Sequence, residues 1–273
     1  MPFLSCRRLR SGCTLMMAGF LLLCPLMAHA ETSQPVTQAS VLVYHRFADG
    51  ATDSMTIRVA TFEAHLAWLR AHGYQIVALR DIVAWLNDPS AMLPFKAVAI
   101  TVDDGHRSVY EVMRPIVLRE RFPVSLFIYP SVISNASYAM TWSQLRELRD
   151  SGLFDIQSHT WWHPNFNTER RRLSASAFEQ FALTQFTRSR ELLQHQLGGH
   201  VDLLAWPFGI HDEQLISLAQ HAGYRAAFTI EPQNVIRSTR PLAIPRFMMV
   251  DACAPKCLAQ LLNEHHSSPQ TQQ

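Results

Sequence analysis

The sequence predicts one α/β domain built as a barrel of about seven strands, and two observations carry that expectation. Strand-like and helix-like segments alternate from residue 41 onward, which is the pattern of a parallel sheet with helices outside it. No Gly-, Ser- or Pro-rich boundary interrupts the series, so the alternation belongs to a single domain, residues 41–265. With 273 residues, 48% of them hydrophobic, the chain can bury a substantial core.

In chain order, residues 41–44 form a short apolar β run, and residues 62–72 have apolar side chains at helical spacing that stop at Gly73. Residues 97–102 are a continuous apolar run read as a strand, 109–119 a helix and 124–129 a strand. Residues 142–150 form a helix ending at Gly152, and 154–157 a strand. The second half adds a long helix at 175–196, a strand at 203–206 and a helix at 213–221 stopped by Gly223. Strands at 226–230 and 247–250 complete the series. A barrel of this kind carries its chemistry on loops leaving the carboxyl ends of the strands.

The ends of the chain read differently. Arg7, Arg8 and Arg10 form a basic start, residues 15–26 are almost wholly apolar, and Ala28-His29-Ala30 offers small residues for cleavage, so residues 1–30 are expected to be a secretory signal peptide. The segment after Arg8 lacks the rest of a twin-arginine pattern, and Cys24 follows leucines where lipidation wants a small residue. Residues 31–40 are expected to be an exposed polar tail and 266–273 a polar C-terminal tail. No run is long enough for a transmembrane segment. The expected product is exported, periplasmic or extracellular.

Removing the leader takes three arginines and no acids, leaving 21 basic residues against 22 acidic ones. A near-neutral chain with no basic block has no footprint for nucleic acid, whose affinity comes from clustered Lys and Arg on phosphates. Cys253 and Cys257 are the two cysteines outside the leader. Export permits a disulfide between them, with local turn geometry deciding between a bond and two free thiols, and no His or further Cys stands at zinc-site spacing.

Three strand ends hold the residues suited to chemistry. Thr101-Val102-Asp103-Asp104-Gly105 sets two adjacent carboxylates at the end of the 97–102 run, with a glycine turn that lets both reach one opening where a cation would offset their repulsion. An Asp-Asp-Gly turn with solvated acids is the plain alternative. Ser158-His159-Thr160-Trp161-Trp162-His163 supplies two imidazoles four residues apart after the next strand but one. With one carboxylate they form an open ligand set that leaves places for water and substrate. Tyr44-His45 ends the first strand, where His45 could donate a proton to a leaving amine or simply pack.

These segments resemble the polysaccharide deacetylases, the carbohydrate esterase family 4 or NodB-homology group. Thr101 to Gly105 is similar to the first family motif, Thr-Phe-Asp-Asp-Gly, with Val102 in place of Phe; His159-Thr160-Trp161-Trp162-His163 is similar to the second, His-Ser/Thr-x-x-His; Ala205-Trp206-Pro207-Phe208-Gly209 resembles the third, Arg-x-Pro-Tyr/Phe. The likeness extends over residues 41–265 and is strongest to the circularly permuted branch that deacetylates poly-β-1,6-N-acetylglucosamine in biofilm export, where the acid histidine lies in an N-terminal Tyr-His segment, as Tyr44-His45 does.

The resemblance implies a distorted (β/α) barrel of the NodB type and a metal-dependent hydrolase that releases acetate from N-acetylated glycans. Asp104, His159 and His163 would hold one divalent ion (zinc, nickel, cobalt or iron), Asp103 would be the general base and His45 the general acid. The third motif of the family usually opens with an Arg that orients the base, and Ala205 stands there instead. Either Arg246, in Ile244-Pro245-Arg246-Phe247, or Arg107 supplies that contact, or the base is loosely held. Trp161, Trp162, Trp206, Phe208 and Tyr129 surround the motifs and are candidates for contact with sugar rings, with Trp206 and Phe208 leaning toward a structural role. The expected partner is an N-acetylated polysaccharide or oligosaccharide, with an export-machinery or glycan-binding protein as a further one. Rival readings are an O-acetyl esterase on acetylated glycans, a hydrolase of small N-acetylated molecules, and a non-catalytic carbohydrate-binding or export-accessory protein.

Overall fold

The computed structural model describes residues 38–51 and 53–263. The expected signal peptide, residues 31–37 of the expected tail and the polar tail at 266–273 lie outside the described residues. The chain runs β1 (Gln38–Tyr44), β2 (Arg46–Ala48), β3 (Thr56–Arg58), α1 (Val59–Ala71), β4 (Gln75–Ile76), α2 (Leu79–Asn87) and β5 (Ala97–Asp104). A π-helical turn (Val109–Met113) continues into α3 (Arg114–Glu120), followed by β6 (Val124–Ile128), α4 (Trp142–Asp150), β7 (Phe154–Ser158), α5 (Phe166–Arg172), α6 (Ala175–Leu197) and β8 (Leu203–Ala205). Then come α7 (Glu213–His221), β9 (Ala226–Phe228), β10 (Val235–Ile236), β11 (Phe247–Met248) and α8 (Pro255–Asn263). Among the described residues no helix is long and apolar enough to cross a membrane.

The main sheet runs β1-β5-β6-β7-β8-β9 with every neighbouring pair parallel. On its other edge β1 pairs in parallel with β11 and antiparallel with β10. The segment that ends in β11 closes the circuit: Ile244 bridges Phe228 of β9, and Phe247 and Met248 pair with Leu42 and Val43 of β1. Seven strands (β1, β5, β6, β7, β8, β9, β11) therefore make the distorted barrel that the sequence predicts, with a single bridge as the weak seam.

Period-two alternation sorts the strand residues. Val41, Ala99, Phe127, Ala205 and Phe228 join one buried cluster with Leu79, Ile82 and Trp85 of α2, which fills the lumen and plugs its amino end. Leu42, Ile100, Leu126 and Leu204 join a larger cluster beneath the outer helices. β5 is buried along nearly its whole length, which is why it reads as an unbroken apolar run rather than an alternation. Helix starts follow side-chain caps: Thr141 and Gln144 form a capping box at α4, Ser174 caps α6 and Asp212 caps α7.

Several elements depart from the sequence expectation. β1 begins at Gln38, so residues 38–40 of the expected tail are strand, anchored by pairing of Gln38 and Ala39 with β10. The helix expected at 109–119 opens as a wider π-helical turn directly after the Asp103-Asp104-Gly105 turn. β2 with β3, β4, α2, α5, β10 and α8 were not expected; most are too short to show a period, and α8 buries only Leu258 and Leu262 fully against the core. Cys253 and Cys257 are joined in a disulfide with their Cα atoms 5.1 Å apart. Cys253 lies ahead of α8 rather than on it, which frees the pair from helical spacing. Its carbonyl accepts the Nε2–H of the buried His65 at 2.5 Å, so Nδ1 of that ring accepts from the Tyr44 hydroxyl at 3.1 Å.

Trp206, a candidate sugar contact that leaned toward a structural role, is fully buried. Its indole N–H donates to the Leu242 carbonyl at 3.0 Å, and its ring meets Phe186 edge-on at 5.8 Å. Replacing it with Ala opens a cavity and orphans that carbonyl, so Trp206→Ala is expected to cost about 3–5 kcal/mol in urea denaturation; a loss below about 1 kcal/mol would mean the side chain is not part of the core.

Candidate active site

The candidate chemistry assembles at the carboxyl ends of β1, β5, β7 and β8, not in the cavity lined by Arg80, Asp155, Arg190 and Asp202. That cavity, about 810 Å³, lies at the opposite end of the barrel. There Arg80 bridges Asp155 at 2.8 Å and Asp202 at 3.0 Å, an ion-pair clasp between the starts of β7 and β8.

β5 delivers two adjacent carboxylates to one mouth in two ways. Asp103 has the parity of Ala99 and Thr101 and is buried facing the lumen. Asp104 would face outward, but it takes φ 76°, and Gly105 follows at φ 84°. This left-handed turn swings the second carboxylate over the same opening. A side chain at Gly105 would also press on Ile128 at 3.1 Å.

Asp103 is met by Arg246, which is fully buried. Nη1 donates to Oδ1 at 2.8 Å and Nη2 to Oδ2 at 2.7 Å, a bidentate pair. The guanidinium also donates from Nε to the Thr229 carbonyl at 2.9 Å and from Nη1 to the Thr101 hydroxyl at 3.2 Å, and it lies 5.4 Å from the Phe127 ring centroid. Burial alone would raise the pKa of Asp103, but the Arg246 charge holds it down to about 2. Arg246 thus occupies the place that Ala205 leaves open. Arg107, the other candidate, is exposed and turned toward Glu111 at 3.7 Å.

β7 presents the imidazoles. Thr160 and His163 both have positive φ, 66° and 62°. The turn is pinned by Thr160 N–H to Ser158 Oγ and by His163 N–H to Thr160 Oγ1, each 3.2 Å. His159 Nδ1 lies 2.8 Å from the Ala205 carbonyl, which only accepts, so the ring proton sits on Nδ1 and the Nε2 lone pair is free. That Nε2 stands 3.8 Å from Asp104 Oδ1, and His163 Nε2 stands 3.9 Å from the same oxygen. Burial pushes His159 down to about 3 and His163 below the ordinary histidine range, so both rings stay neutral. Asp104 is pushed up by burial and by the Asp103 charge, against the pull of His45 and Arg46.

The three donor atoms of Asp104, His159 and His163 lie within 4.8 Å of one another. They are too far apart to hydrogen-bond, and one carboxylate oxygen with two neutral imidazole nitrogens, one of fixed tautomer, is a set that suits a small divalent cation. His45 follows β1 at the same mouth. Its ring is buried, and its Nδ1 has no hydrogen-bond partner among the described residues.

The aromatic candidates divide. Phe208, which leaned toward a structural role, is 55% exposed, with its ring 4.5 Å from that of His163. A positive φ of 57° after Pro207 turns it outward. Tyr129, at the end of β6, has its ring 5.5 Å from His163. Trp162 is 42% exposed but packs on Phe181, and Trp161 is half-buried beneath the Arg188 guanidinium at 3.8 Å. Tyr138 and His106 stand on the rim beside Tyr129 and were not singled out, because no motif or period marks them. The Ala205 carbonyl, a backbone acceptor, leaves no trace in a sequence at all.

Comparison with known proteins agrees with this geometry. The family model described as polysaccharide deacetylase matches residues 91–227, half of the chain. The poly-β-1,6-N-acetyl-D-glucosamine N-deacetylase of Escherichia coli is 24% identical over 277 residues, covering 88% of this chain and 41% of that protein, so the chain spans about two fifths of that relative's length. Two solved structures share the fold: IcaB from Ammonifex degensii, with a TM-score of 0.73, 22% identity and coverage of 84% and 98% of the two chains, and the Streptococcus pyogenes deacetylase PplD, with a TM-score of 0.73, 20% identity and coverage of 84% and 99%. His45 and Arg246 both fall outside the span of the family model.

The Asp103–Arg246 pair sets a pH-dependent expectation. Because Asp103 is held at about 2 against an ordinary 3.8, its contribution to stability is present above that ordinary value and is lost as the pH falls through the range down to about 2. In Arg246→Met the carboxylate stays buried without a counter-charge, at an expected cost of about 3–5 kcal/mol at neutral pH. That deficit should shrink on acidification as Asp103 takes up a proton. Urea denaturation of both proteins across a pH series checks it; a deficit that does not vary with pH would rule out an uncompensated Asp103 charge.

Proposed function

The chain belongs to the polysaccharide deacetylase family, and from that premise we propose that it is an exported, metal-dependent N-deacetylase that hydrolyses the acetamide of N-acetylglucosamine-type residues, as in poly-β-1,6-N-acetylglucosamine, and releases acetate. The observation that carries the reading is the pairing of an open Asp104, His159 and His163 donor set with a second carboxylate, Asp103, held separately by Arg246.

A divalent ion held by Asp104, His159 and His163 would supply Lewis-acid polarisation of the acetamide carbonyl and acidify the attacking water, which a base as weak as Asp103 requires. Zinc, nickel, cobalt and iron all accept such donors. Asp103 takes the proton of that water. Arg246 fixes both carboxylate oxygens in one orientation and keeps the group ionised at any working pH. His159 is held by the Ala205 carbonyl and does not move a proton. His45, buried at the mouth with an unpartnered Nδ1, gives a proton to the departing amine nitrogen, so that a neutral amine leaves instead of an amide anion. Phe208 and Tyr129 flank the imidazoles and offer aromatic faces to the apolar side of a sugar ring.

The polymer is suggested by the Escherichia coli relative, a poly-β-1,6-N-acetyl-D-glucosamine N-deacetylase, and export by the leader-like first thirty residues. A glycan-binding or export protein is a further proposed partner for handling a polymer.

The mature protein should release acetate from β-1,6- or β-1,4-linked N-acetylglucosamine oligomers. Chelation should stop release, and Asp103→Asn, His159→Ala and His45→Ala should each lower it by about 10²-fold or more. One ion per chain, counted by elemental analysis and lost in His159→Ala, is the accompanying expectation. Cleavage of acetyl esters with no release from either oligomer series would replace this reading with that of an O-acetyl esterase.

A further inference from the structure

The rim opposite Phe208 carries a second surface that neither the motifs nor the family match marks. We propose that Tyr138, with His106 and Tyr129, forms a subsite for the pyranose ring next to the residue being deacetylated; this rests on the deacetylase reading above.

Position is the first argument. The loop bearing Tyr138 is stitched to the turn that carries Asp104: Arg107 N–H donates to the Tyr138 carbonyl at 2.8 Å, Met140 N–H donates to the Gly105 carbonyl at 3.0 Å, and His106 bridges Ala139. The surface is therefore registered to the donor set by backbone bonds. In sheet order β7, which carries both imidazoles, lies between β6, which leads to Tyr129 and Tyr138, and β8, which leads to Phe208. Aromatic side chains thus flank the candidate ion from both sides, and a sugar at the ion would have a neighbour on either wall.

Chemistry is the second. Tyr138 is 42% exposed although it is held in place: its hydroxyl is 3.0 Å from that of Tyr129, and its ring lies nearly parallel to His106, at 13° and 6.2 Å. An aromatic ring kept at the surface by partners behind and beside it is a preformed platform for the C–H face of a pyranose. His106 adds a donor. Its Nδ1 accepts the Ser108 backbone N–H at 3.2 Å, so the ring proton lies on Nε2, for which no bond is present among the described residues. A ring face flanked by an N–H and two phenol hydroxyls matches a sugar, which presents C–H and O–H groups together. A ring face also accepts an ammonium group, so a neighbour already deacetylated would bind too.

The test compares kcat/KM for acetate release from the N-acetylglucosamine monomer and pentamer, using the metal-loaded mature protein. The wild type should gain from chain length. Tyr138→Ala should lose about tenfold of that gain, chiefly through KM for the pentamer, while Tyr138→Phe keeps most of it, since the ring and not the hydroxyl makes the platform. His106→Ala should lose a smaller part. A pentamer-to-monomer ratio unchanged in Tyr138→Ala overturns the subsite, as does an equal fall on monomer and pentamer, which would make Tyr138 a support of the Asp104 turn. A wild type indifferent to length also overturns it while leaving the deacetylase intact. No acetate from any oligomer by the wild type would instead refute the deacetylase reading itself.

Discussion

The buried bidentate pair between Asp103 and Arg246 is the interaction on which both the barrel and its mouth depend. Two charges taken out of water cost several kcal/mol each, and the cost is offset only by good geometry and additional hydrogen bonds. Four of the five guanidinium N–H groups are accounted for, two on Asp103, one on Thr101 and one on Thr229. Arg246 sits on the segment that bridges β9 through Ile244 and pairs with β1 through Phe247. The closing segment is thus tied to β5 across the lumen by an ion pair as well as by its few backbone bonds. The seam of the barrel and the orientation of the proposed base are one structural problem with one solution.

The same pair explains how two adjacent carboxylates coexist. Asp103 is neutralised inside the protein and sinks to about 2; Asp104, turned by its left-handed backbone, is left to the two imidazoles and pushed upward. Adjacent acids in a strand end thereby acquire opposite environments from a single change in backbone hand, and with them separate tasks.

The alternation of strands and helices was legible because β1, β5 and β6 are buried on both faces and leave apolar runs, and residues 97–102, 142–150 and 213–221 lie close to or on observed elements. The pairing of Asp103 and Asp104 with His159, His163 and His45 at one mouth was legible too, since all of them end strands that lie in one parallel sheet. The elements that escaped are short or depend on tertiary packing, as α2 does in plugging the lumen. Trp206 and Phe208, two residues apart, could not be sorted by type. Burial of the first follows from contact with Phe186 on a distant helix, and exposure of the second follows from a backbone angle. Tyr138 was invisible for a related reason: its placement depends on backbone bonds to Arg107 and Gly105, and backbone bonds have no residue signature.

Ala205 and Arg246 are best understood as one choice. Ala205 faces the lumen, fully buried, in the cluster that holds Phe127, Phe228 and Ile244. An arginine there would bring a second cation into a space whose facing acid, Asp103, already has both oxygens engaged by Arg246. The surplus charge would be uncompensated and buried, which the interior does not tolerate. A small residue at 205 leaves the volume and the charge balance for a guanidinium arriving from the far side of the seam. It also costs the imidazole nothing, because His159 is fixed by the carbonyl of residue 205 and not by its side chain. The cation that steadies the proposed base can therefore come from either position but not from both, and a motif that looks broken at Ala205 has its cation once the lumen is counted as a whole.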